Sequence, residues 1–324
     1  MDFERINRSY NAVFRPERLS IGVVVPIERY DRSPVPTMQD HLKRVQLIEA
    51  LGYQALWIRD IPFNVPSFGD AGQTYDPFTY LGFLAGQTQR IALGVASIAL
   101  PLHHPAHVAK SAATIDQLSG GRLLLGVASG DRYDEYPALG LPYEARGEHF
   151  REAFAYLRHL QEDFPVLENN HYGTLKGHID LLPKATAHKL PLLSTGFSQQ
   201  ELDFHAEHAD GWMNYPRNLH HQYFTVQQWR EAVARFCEHA KPFMQPLYVV
   251  LQAEDDFPPQ PIPLGFRIGI NPLLDYLHQL QDIGVNHIAL NFRFNEMDLR
   301  ETLERIAHRV LPHFQAATTK PTTA

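Results

Sequence analysis

Short apolar segments alternate with longer amphipathic segments along almost the whole chain. Each apolar segment has four to seven residues, a length typical of parallel strands that are buried on both faces. The pattern predicts eight strands, at residues 19–25, 54–58, 91–97, 122–128, 191–195, 211–214, 247–252 and 287–292.

The amphipathic segments have the spacing of helices that bury one face. In the segment 37–51, for example, Leu42, Val45 and Ile48 share one side, as the helical repeat requires. Helices are predicted at residues 37–51, 77–87, 106–118, 146–163, 199–208, 222–239, 272–281 and 299–310.

Eight strands alternating with eight helices over about 300 residues indicate an α/β fold, a single (β/α)₈ TIM barrel. A doubly wound open sheet is the alternative, and periodicity does not exclude it. No Gly-x-Gly-x-x-Gly motif follows the first strand, which argues against a sheet that binds a dinucleotide. We predict one domain over residues 1–315 and a disordered tail over residues 316–324, which are small and polar.

Four longer segments, 59–75, 129–145, 169–189 and 253–269, interrupt the alternation. The third could contain a small hairpin, and the fourth is rich in proline, which predicts an extended, irregular segment. The first, second and fourth directly follow predicted strands. In a barrel they would be insertions at the C-terminal mouth, where barrel enzymes place their active sites.

Composition excludes several classes of protein. The 324 residues carry a net charge of −7 without a basic stripe, so we expect no nucleic-acid partner. The apolar runs are too short to span a bilayer, and the N-terminus lacks the apolar stretch of a signal peptide. The single cysteine, Cys237, is typical of a reducing compartment. We therefore expect a cytoplasmic protein without a membrane partner.

Motifs for several common mechanisms are missing from the sequence. There is no nucleophile elbow, Walker loop, Cys-x-x-Cys or His-Glu-x-x-His. The cluster His103, His104 and His107 contains three histidines, but Pro105 separates the first pair from the third and few carboxylates lie nearby. We favour hydrogen-bonding histidines there and predict no metal site.

The segment Leu192 to Glu201, LLSTGFSQQE, is a candidate anion site. A buried strand leads into hydroxyl residues and a glycine, and Ser198 then stands at the predicted start of a helix. Free N–H groups at a helix start can bind a phosphate. A plain capping box between Ser198 and Glu201 is the other interpretation, and the two are compatible.

Residues 104–130, HPAHVAKSAATIDQLSGGRLLLGVASG, resemble the signature of bacterial luciferase-like flavin monooxygenases and their deazaflavin-dependent relatives. The resemblance extends to LGYQALWIRD and to residues 191–216, and it covers most of the chain. The matching positions are His104-Pro105, Asp116, Ser119, Gly121-Arg122, Gly126 and Gly130. Asp116 and Arg122 fall at the bottom of the barrel, where we expect an ion pair or a cap.

The resemblance implies a cofactor, FMN or a deazaflavin, at the barrel mouth, and commonly a homodimer. The phosphate segment of the family corresponds to Thr195, Gly196, Ser198 and Gln199. A non-proline cis peptide behind the flavin corresponds to Ala96-Ser97 or Ser97-Ile98, and the end of strand four to Ser129 and Gly130. Luciferase has an arginine at the position of Ser129, so this chain lacks that contact to the phosphate.

The candidate catalytic residues are Asp60 and His103. Luciferase has its catalytic histidine near the end of strand two, but this sequence has Ile61 and Pro62 there. Asp60 is therefore the candidate proton acceptor, with a loop ion pair between Arg59 and Asp60 as the alternative. Other polar candidates at the mouth, for contacts to the flavin or the substrate, are Asp131, Arg132, Tyr133, Glu135, Arg267, Asn291, Arg293 and Asn295.

The predicted function is that of a monooxygenase that uses reduced FMN and O₂ on a small organic substrate. Because no nicotinamide fingerprint is visible, a separate flavin reductase would supply the reduced cofactor. A deazaflavin-dependent dehydrogenase or reductase is one alternative, and a non-catalytic flavin-binding protein is another.

Overall fold

The computed structural model describes residues 2–168 and 171–315. The tail predicted to be disordered, residues 316–324, lies outside the described residues. Eight strands form a closed ring, and their bounds are β1 Ser20–Val24, β2 Ala55–Ile58, β3 Ala92–Ala99, β4 Leu123–Ala128, β5 Leu192–Thr195, β6 Gly211–Met213, β7 Phe243–Leu251 and β8 His287–Asn291.

The ring confirms the (β/α)₈ barrel. Each strand pairs in parallel with the next one in sequence, and β8 pairs in parallel with β1. A doubly wound sheet has two free edges, whereas this sheet has closed on itself. The helices that follow β1 to β8 in turn are His41–Ala50, Pro77–Gln87, Pro105–Ser119, Arg146–His159, Leu202–His208, Leu219–Phe236, Ile270–Ile283 and Leu299–Arg309.

The insertions contain most of the remaining elements. They hold the short helix Glu135–Ala138, the 3₁₀ turns Pro66–Phe68 and Tyr143–Ala145, and a hairpin of Val166–Leu167 with Leu175–Lys176. The proline-rich insertion is more regular than predicted, because Gln260–Ile262 pairs with Gly265–Ile268, which extends the sheet beside β7. The other elements are the 3₁₀ turn Leu100–Leu102 and the helix Leu311–Phe314.

The sequence pattern did not predict the N-terminal helix Arg8–Val13, which packs against the N-terminal end of the barrel. The Ser9 N–H donates to the carbonyl of Gly121, just before β4. Side chains from this end of the chain join the inward-facing residues of the strands in one buried cluster: Tyr10, Val13, Phe14, Val24, Ala55, Trp57, Ala92, Leu124, Leu193, Met213, Met244 and Ala289. The barrel interior is therefore filled below the mouth.

Asp116 and Arg122 stabilise the same end of the barrel, not as the ion pair that was one expectation but through hydrogen bonds, in which Arg122 caps the C-terminal end of the helix Pro77–Gln87. The Asp116 carboxylate accepts from Asn7 Nδ2 at 2.9 Å and from Thr186 Oγ1 at 2.7 Å. Arg122 donates to the carbonyls of Ala85 at 2.9 Å and Ile91 at 3.0 Å. Both side chains are buried. Their hydrogen bonds join segments that are distant in sequence.

Gly126 in β4 has no room for a side chain, and Gly126→Ala should strongly destabilise the barrel. An added Cβ would lie 2.2 Å from the Val95 carbonyl oxygen and 2.3 Å from Met213 Cε. Because the first contact is with backbone, we expect the free energy of unfolding to fall by about 3 kcal/mol. Urea unfolding measures this change.

Gly86→Ala is the matched control, because Gly86 is exposed on the helix Pro77–Gln87 and an added Cβ would meet nothing within 4 Å. The gain in helix propensity should raise its stability by up to about 1 kcal/mol. Equal stability of the two variants would contradict the packing described for β4.

Among the helices of the described residues, none combines the length and the apolar character needed to cross a lipid bilayer.

Candidate active site

A pocket of about 300 Å³ opens at the C-terminal ends of β2 to β5. We call it the outer pocket. The chain brings Asp60 and all eight predicted cofactor residues to its wall, because the C-terminal ends of neighbouring parallel strands meet there. These residues are Asp60, Ala96, Ser97, Ser129, Gly130, Thr195, Gly196, Ser198 and Gln199.

β3 is irregular where it borders the outer pocket. The Ala96–Ser97 peptide is cis, so the predicted position of a non-proline cis peptide is confirmed. The pairing of β3 with β4 shifts register between Val95 and Ile98. The backbone therefore bulges at Ala96 and Ser97, two of the β3 residues that line the pocket.

The loop after β5 does not form the capping box that was the alternative interpretation of this segment. The helix begins only at Leu202, with Glu201 as its N-cap. Ser198 and Gln199 have φ angles of 46° and 59°, which belong to the left-handed region and not to the first turn of a helix. The Ser198 hydroxyl instead donates to the Thr195 carbonyl at 2.8 Å and accepts from the Ser129 N–H at 3.2 Å.

Several hydrogen-bond donors around this loop have no protein acceptor. Among the described residues, none accepts from the backbone N–H groups of Phe197, Ser198 and Gln199. Thr195 Oγ1 is buried, and no residue in the described part of the chain pairs with it. Successive free N–H groups in a loop with left-handed residues form a concave site for an anion. The residues therefore suit a phosphate, although the helix start that suggested it lies farther along the chain.

Arg146 lies beside this loop, and the sequence reasoning missed it. It lines the outer pocket, and its Nε is buried without a partner among the described residues. The next residue, Gly147, packs so closely against Gln199 that an added Cβ would lie 2.7 Å from Gln199 Cβ. Arg146 is 11 residues or more from the other pocket residues after β4, so only the fold brings its positive charge to the side of this loop.

His205 supports the loop from below. Its Nε2 lies 2.7 Å from the Phe197 carbonyl oxygen, which can only accept, so Nε2 carries the proton. Burial lowers the pKa of His205 to about 4. The imidazole is therefore neutral at physiological pH and holds the loop by a hydrogen bond rather than by charge.

The two candidate catalytic residues form a hydrogen-bonded pair. His103 Nε2 lies 2.7 Å from Asp60 Oδ2, which also accepts from the Ala99 N–H at 3.1 Å. The Asp60 side chain is 2% exposed and that of His103 is 28% exposed. Asp60 lines the outer pocket, whereas His103 does not line it and contacts Asp60 from the other side. Burial lowers the pKa of His103, but the hydrogen bond and charge of Asp60 outweigh burial and raise that pKa above its usual value.

The alternative ion pair between Arg59 and Asp60 is wrong. Arg59 Nη1 binds Asp70 Oδ2 at 2.8 Å, because the insertion after β2 folds back over the strand end. Arg132 donates to the Asp70 carbonyl at 2.8 Å, and its guanidinium stacks 3.9 Å from the centre of the Phe68 ring.

The other polar candidates differ in their location. Glu135 lines the outer pocket, and burial raises its pKa to about 7. Arg267 is at the surface, where it binds Glu296. His104 accepts from the Ala106 N–H at the start of a helix, which fits a structural role.

A second cavity of about 210 Å³, the inner cavity, adjoins the outer pocket. Arg59, Phe68, Ala96, Thr195 and Tyr215 line both. The rest of its wall is mainly apolar: Val24, Met213, Met244, Pro246, Leu264 and Ala289, with Asp70, Asn214, Tyr248 and Asn291 as polar members. The mouth therefore combines a polar pocket with an apolar one.

The predicted absence of a metal site stays a prediction. Glu148, Glu152 and His171 each bring one potential ligand atom within 4.8 Å of the others. None of these three residues lines the outer pocket or the inner cavity.

Comparison with known proteins identifies the family. The model of the family described as luciferase-like monooxygenase matches residues 19–256, which include β1 to β7 and every residue of the outer pocket. The chain belongs to the luciferase-like monooxygenase family.

Relatives share sequence with the chain, and solved structures share its fold. The 4-hydroxyprotoasukamycin monooxygenase of Streptomyces nodosus subsp. asukaensis is 27% identical over 232 residues, which are 69% of this chain and 61% of that protein. An F420-dependent secondary alcohol dehydrogenase in complex with an F420-acetone adduct superposes with a TM-score of 0.75 at 18% identity, over 92% of this chain and 100% of the other. The oxygenating constituent of 3,6-diketocamphane monooxygenase from Pseudomonas putida, in complex with FMN, gives a TM-score of 0.71 at 13% identity, over 93% and 100%.

Proposed function

We propose that the chain is a flavin-dependent monooxygenase that binds reduced FMN in the outer pocket and oxygenates a small organic substrate with O₂. The observation that carries the proposal is the loop after β5, where free N–H groups and the Thr195 hydroxyl lack protein acceptors. The pocket has the donors that a terminal phosphate needs. The family and the FMN complex of a structural neighbour support this choice of cofactor.

Backbone amides and side chains share the proposed binding of the cofactor. The amides of Phe197, Ser198 and Gln199 and the Thr195 hydroxyl would hold the phosphate. Arg146 would supply the positive charge that luciferase supplies from the position of Ser129. The bulge at Ala96 and Ser97 would support the ring system. Reduced flavin, when bound, supplies the electrons for the reaction of O₂ with the substrate.

Asp60 and His103 would handle the proton transfer. Asp60 faces the outer pocket, and His103 binds it from behind through Nε2. Among the described residues no donor binds Asp60 Oδ1, so this oxygen is available to exchange a proton with a reacting group. His103 orients the carboxylate and stabilises its charge.

A deazaflavin-dependent dehydrogenase is the second candidate, favoured by the superposition on the F420-dependent dehydrogenase. The two functions require the same phosphate contacts and differ in the cofactor and in the need for O₂. The Asp60–His103 pair argues against the third candidate, a non-catalytic flavin-binding protein, because flavin storage needs no acid–base pair at the pocket.

The test compares both cofactors on the same protein. We expect FMN to bind with a Kd in the micromolar range or below, and substrate-dependent O₂ uptake when a separate reductase supplies reduced FMN. Preferential binding of F420, with hydride transfer to it under nitrogen, would instead identify a dehydrogenase. Binding of either cofactor without any turnover across a broad substrate panel would indicate a storage protein.

A further inference from the structure

Three arginines that follow three different barrel strands meet around one aspartate at the mouth, two at its carboxylate and one at its backbone carbonyl. Asp70 Oδ2 lies 2.8 Å from Arg59 Nη1 and 3.2 Å from Arg293 Nη1. Arg132 Nη2 donates to the Asp70 carbonyl at 2.8 Å. We call Arg59, Arg132 and Arg293 the arginine cluster. The cluster carries three positive charges, and Asp70 supplies a single negative charge to balance them.

Each arginine of the cluster has a buried nitrogen without an acceptor among the described residues. These atoms are Arg59 Nε, Arg132 Nη1 and Arg293 Nε. Folded proteins rarely leave buried donors unpaired, since each costs about 1–3 kcal/mol. The Asp70 carboxylate accepts from Arg59 Nη1, from Arg293 Nη1 and from the Gly72 N–H, and it leaves these three nitrogens without an acceptor.

Other acidic groups only partly offset the charge of the cluster. Glu135 is the acid with the largest effect on Arg132, but burial raises the pKa of Glu135 to about 7. Burial therefore favours the uncharged form of Glu135, which weakens its compensation of the Arg132 charge. Asp131 also acts on Arg132 and is exposed to solvent, which screens its charge. The arginine cluster thus stays positive.

The arginine cluster lies where the two cavities join. Arg132 lines the outer pocket, and Arg59 lines both cavities. A ligand bound to these two side chains could extend into the mainly apolar inner cavity. A guanidinium group presents a planar fork of donors that matches the two oxygens of a carboxylate.

We propose that the substrate is an apolar carboxylic acid, with its carboxylate on Arg59 and Arg132 and its apolar body in the inner cavity. This inference rests on the proposed function, which assigns the phosphate loop of the outer pocket to the cofactor. Arg293 contributes charge through its contact with Asp70 and does not itself line either cavity.

The experiment compares each acid with its uncharged amide. Octanoate and 4-phenylbutanoate, and the corresponding amides, are titrated calorimetrically into FMN-loaded protein and into cofactor-free protein. We expect the FMN-loaded protein to bind at least one of the acids ten or more times more tightly than its amide. Equal affinities for acid and amide in both pairs would overturn the proposal.

Variants show whether the arginine cluster causes the preference. Arg132→Gln should remove the preference for the acid, Arg132→Lys should retain part of it, and both should bind FMN with an affinity within threefold of the wild type. Arg267→Gln is the matched control, because Arg267 pairs with Glu296 at the surface, and it should behave as the wild type. An acid preference that survives in Arg132→Gln would contradict the proposal.

Two further results separate the substrate site from the cofactor site. FMN binding that falls tenfold or more in folded Arg132→Gln would mean that the arginine holds the cofactor, and the proposal would be wrong. If the wild type binds neither FMN nor F420, the proposed function fails, and the titration of cofactor-free protein decides on the anion site alone. Tighter binding of the acid than of its amide to cofactor-free protein would support the anion site, and equal binding would overturn it.

Discussion

Ser198→Asp is expected to reduce the affinity for FMN at least about 100-fold, which corresponds to about 2.7 kcal/mol. The substitution places a carboxylate where the free N–H groups of Phe197, Ser198 and Gln199 would otherwise receive the phosphate. Two negative charges about 4 Å apart near a protein surface repel by about 4 kcal/mol. Fluorescence titration of FMN measures the loss.

Ser198→Asn is the control for this substitution. Asparagine has nearly the same shape as aspartate, and both tolerate the left-handed φ of 46° at this position better than most residues do. Asparagine is neutral and retains one donor and one acceptor for Thr195 and Ser129. It should keep most of the affinity for FMN. Equal affinities of the Asp and Asn variants would show that the phosphate binds elsewhere.

Asp60→Asn is expected to lower kcat about 10²–10⁴-fold, the usual contribution of a positioned acid or base. The affinity for FMN should stay within threefold, because none of the proposed phosphate contacts involves Asp60. The substitution also removes the Asp60 charge that helps to raise the pKa of His103, which leaves burial and the weaker effects of Asp76 and Glu135, so that pKa should fall. NMR titration of the His103 ring protons measures the shift without any substrate.

The pH dependence of activity tests whether protonated His103 supports the reaction. The wild type should lose activity as pH rises through the raised pKa of His103, because the neutral imidazole no longer stabilises the Asp60 charge. In Asp60→Asn any residual activity should decline at lower pH. His104→Asn is the control, because it removes the adjacent histidine and asparagine preserves the N-cap. An unchanged His103 titration in Asp60→Asn would refute the coupling.

The sequence predicted the barrel because its signal is repeated. All eight strands occur within a few residues of the predicted bounds, since burial on both faces requires continuous apolar runs. The helix Arg8–Val13 was missed because it has fewer than two turns and follows no strand. It is stabilised by contacts with the barrel end rather than by its own periodicity.

The site was predictable where it lies at strand ends and not where it depends on tertiary contacts. Asp60, Ser97, Ser129 and Thr195 end or follow strands, so barrel geometry places them at the mouth. Arg146 follows an insertion of 17 residues, 129–145, and no local pattern shows that this insertion returns to the pocket. The loop at Ser198 was misassigned because a serine three residues before a glutamate matches a capping box, whereas its bonds to Thr195 and Ser129 favour a left-handed turn.

The central claim, that the loop after β5 binds the phosphate of a flavin, is tested most directly by a crystal structure of the protein grown with FMN. We predict density for the phosphate within hydrogen-bond distance of the Ser198 and Gln199 N–H groups, with Arg146 beside it and the ring system against Ala96 and Ser97. A loop that stays empty or is filled by the protein's own side chains, or an FMN phosphate bound at another site, would contradict the assignment.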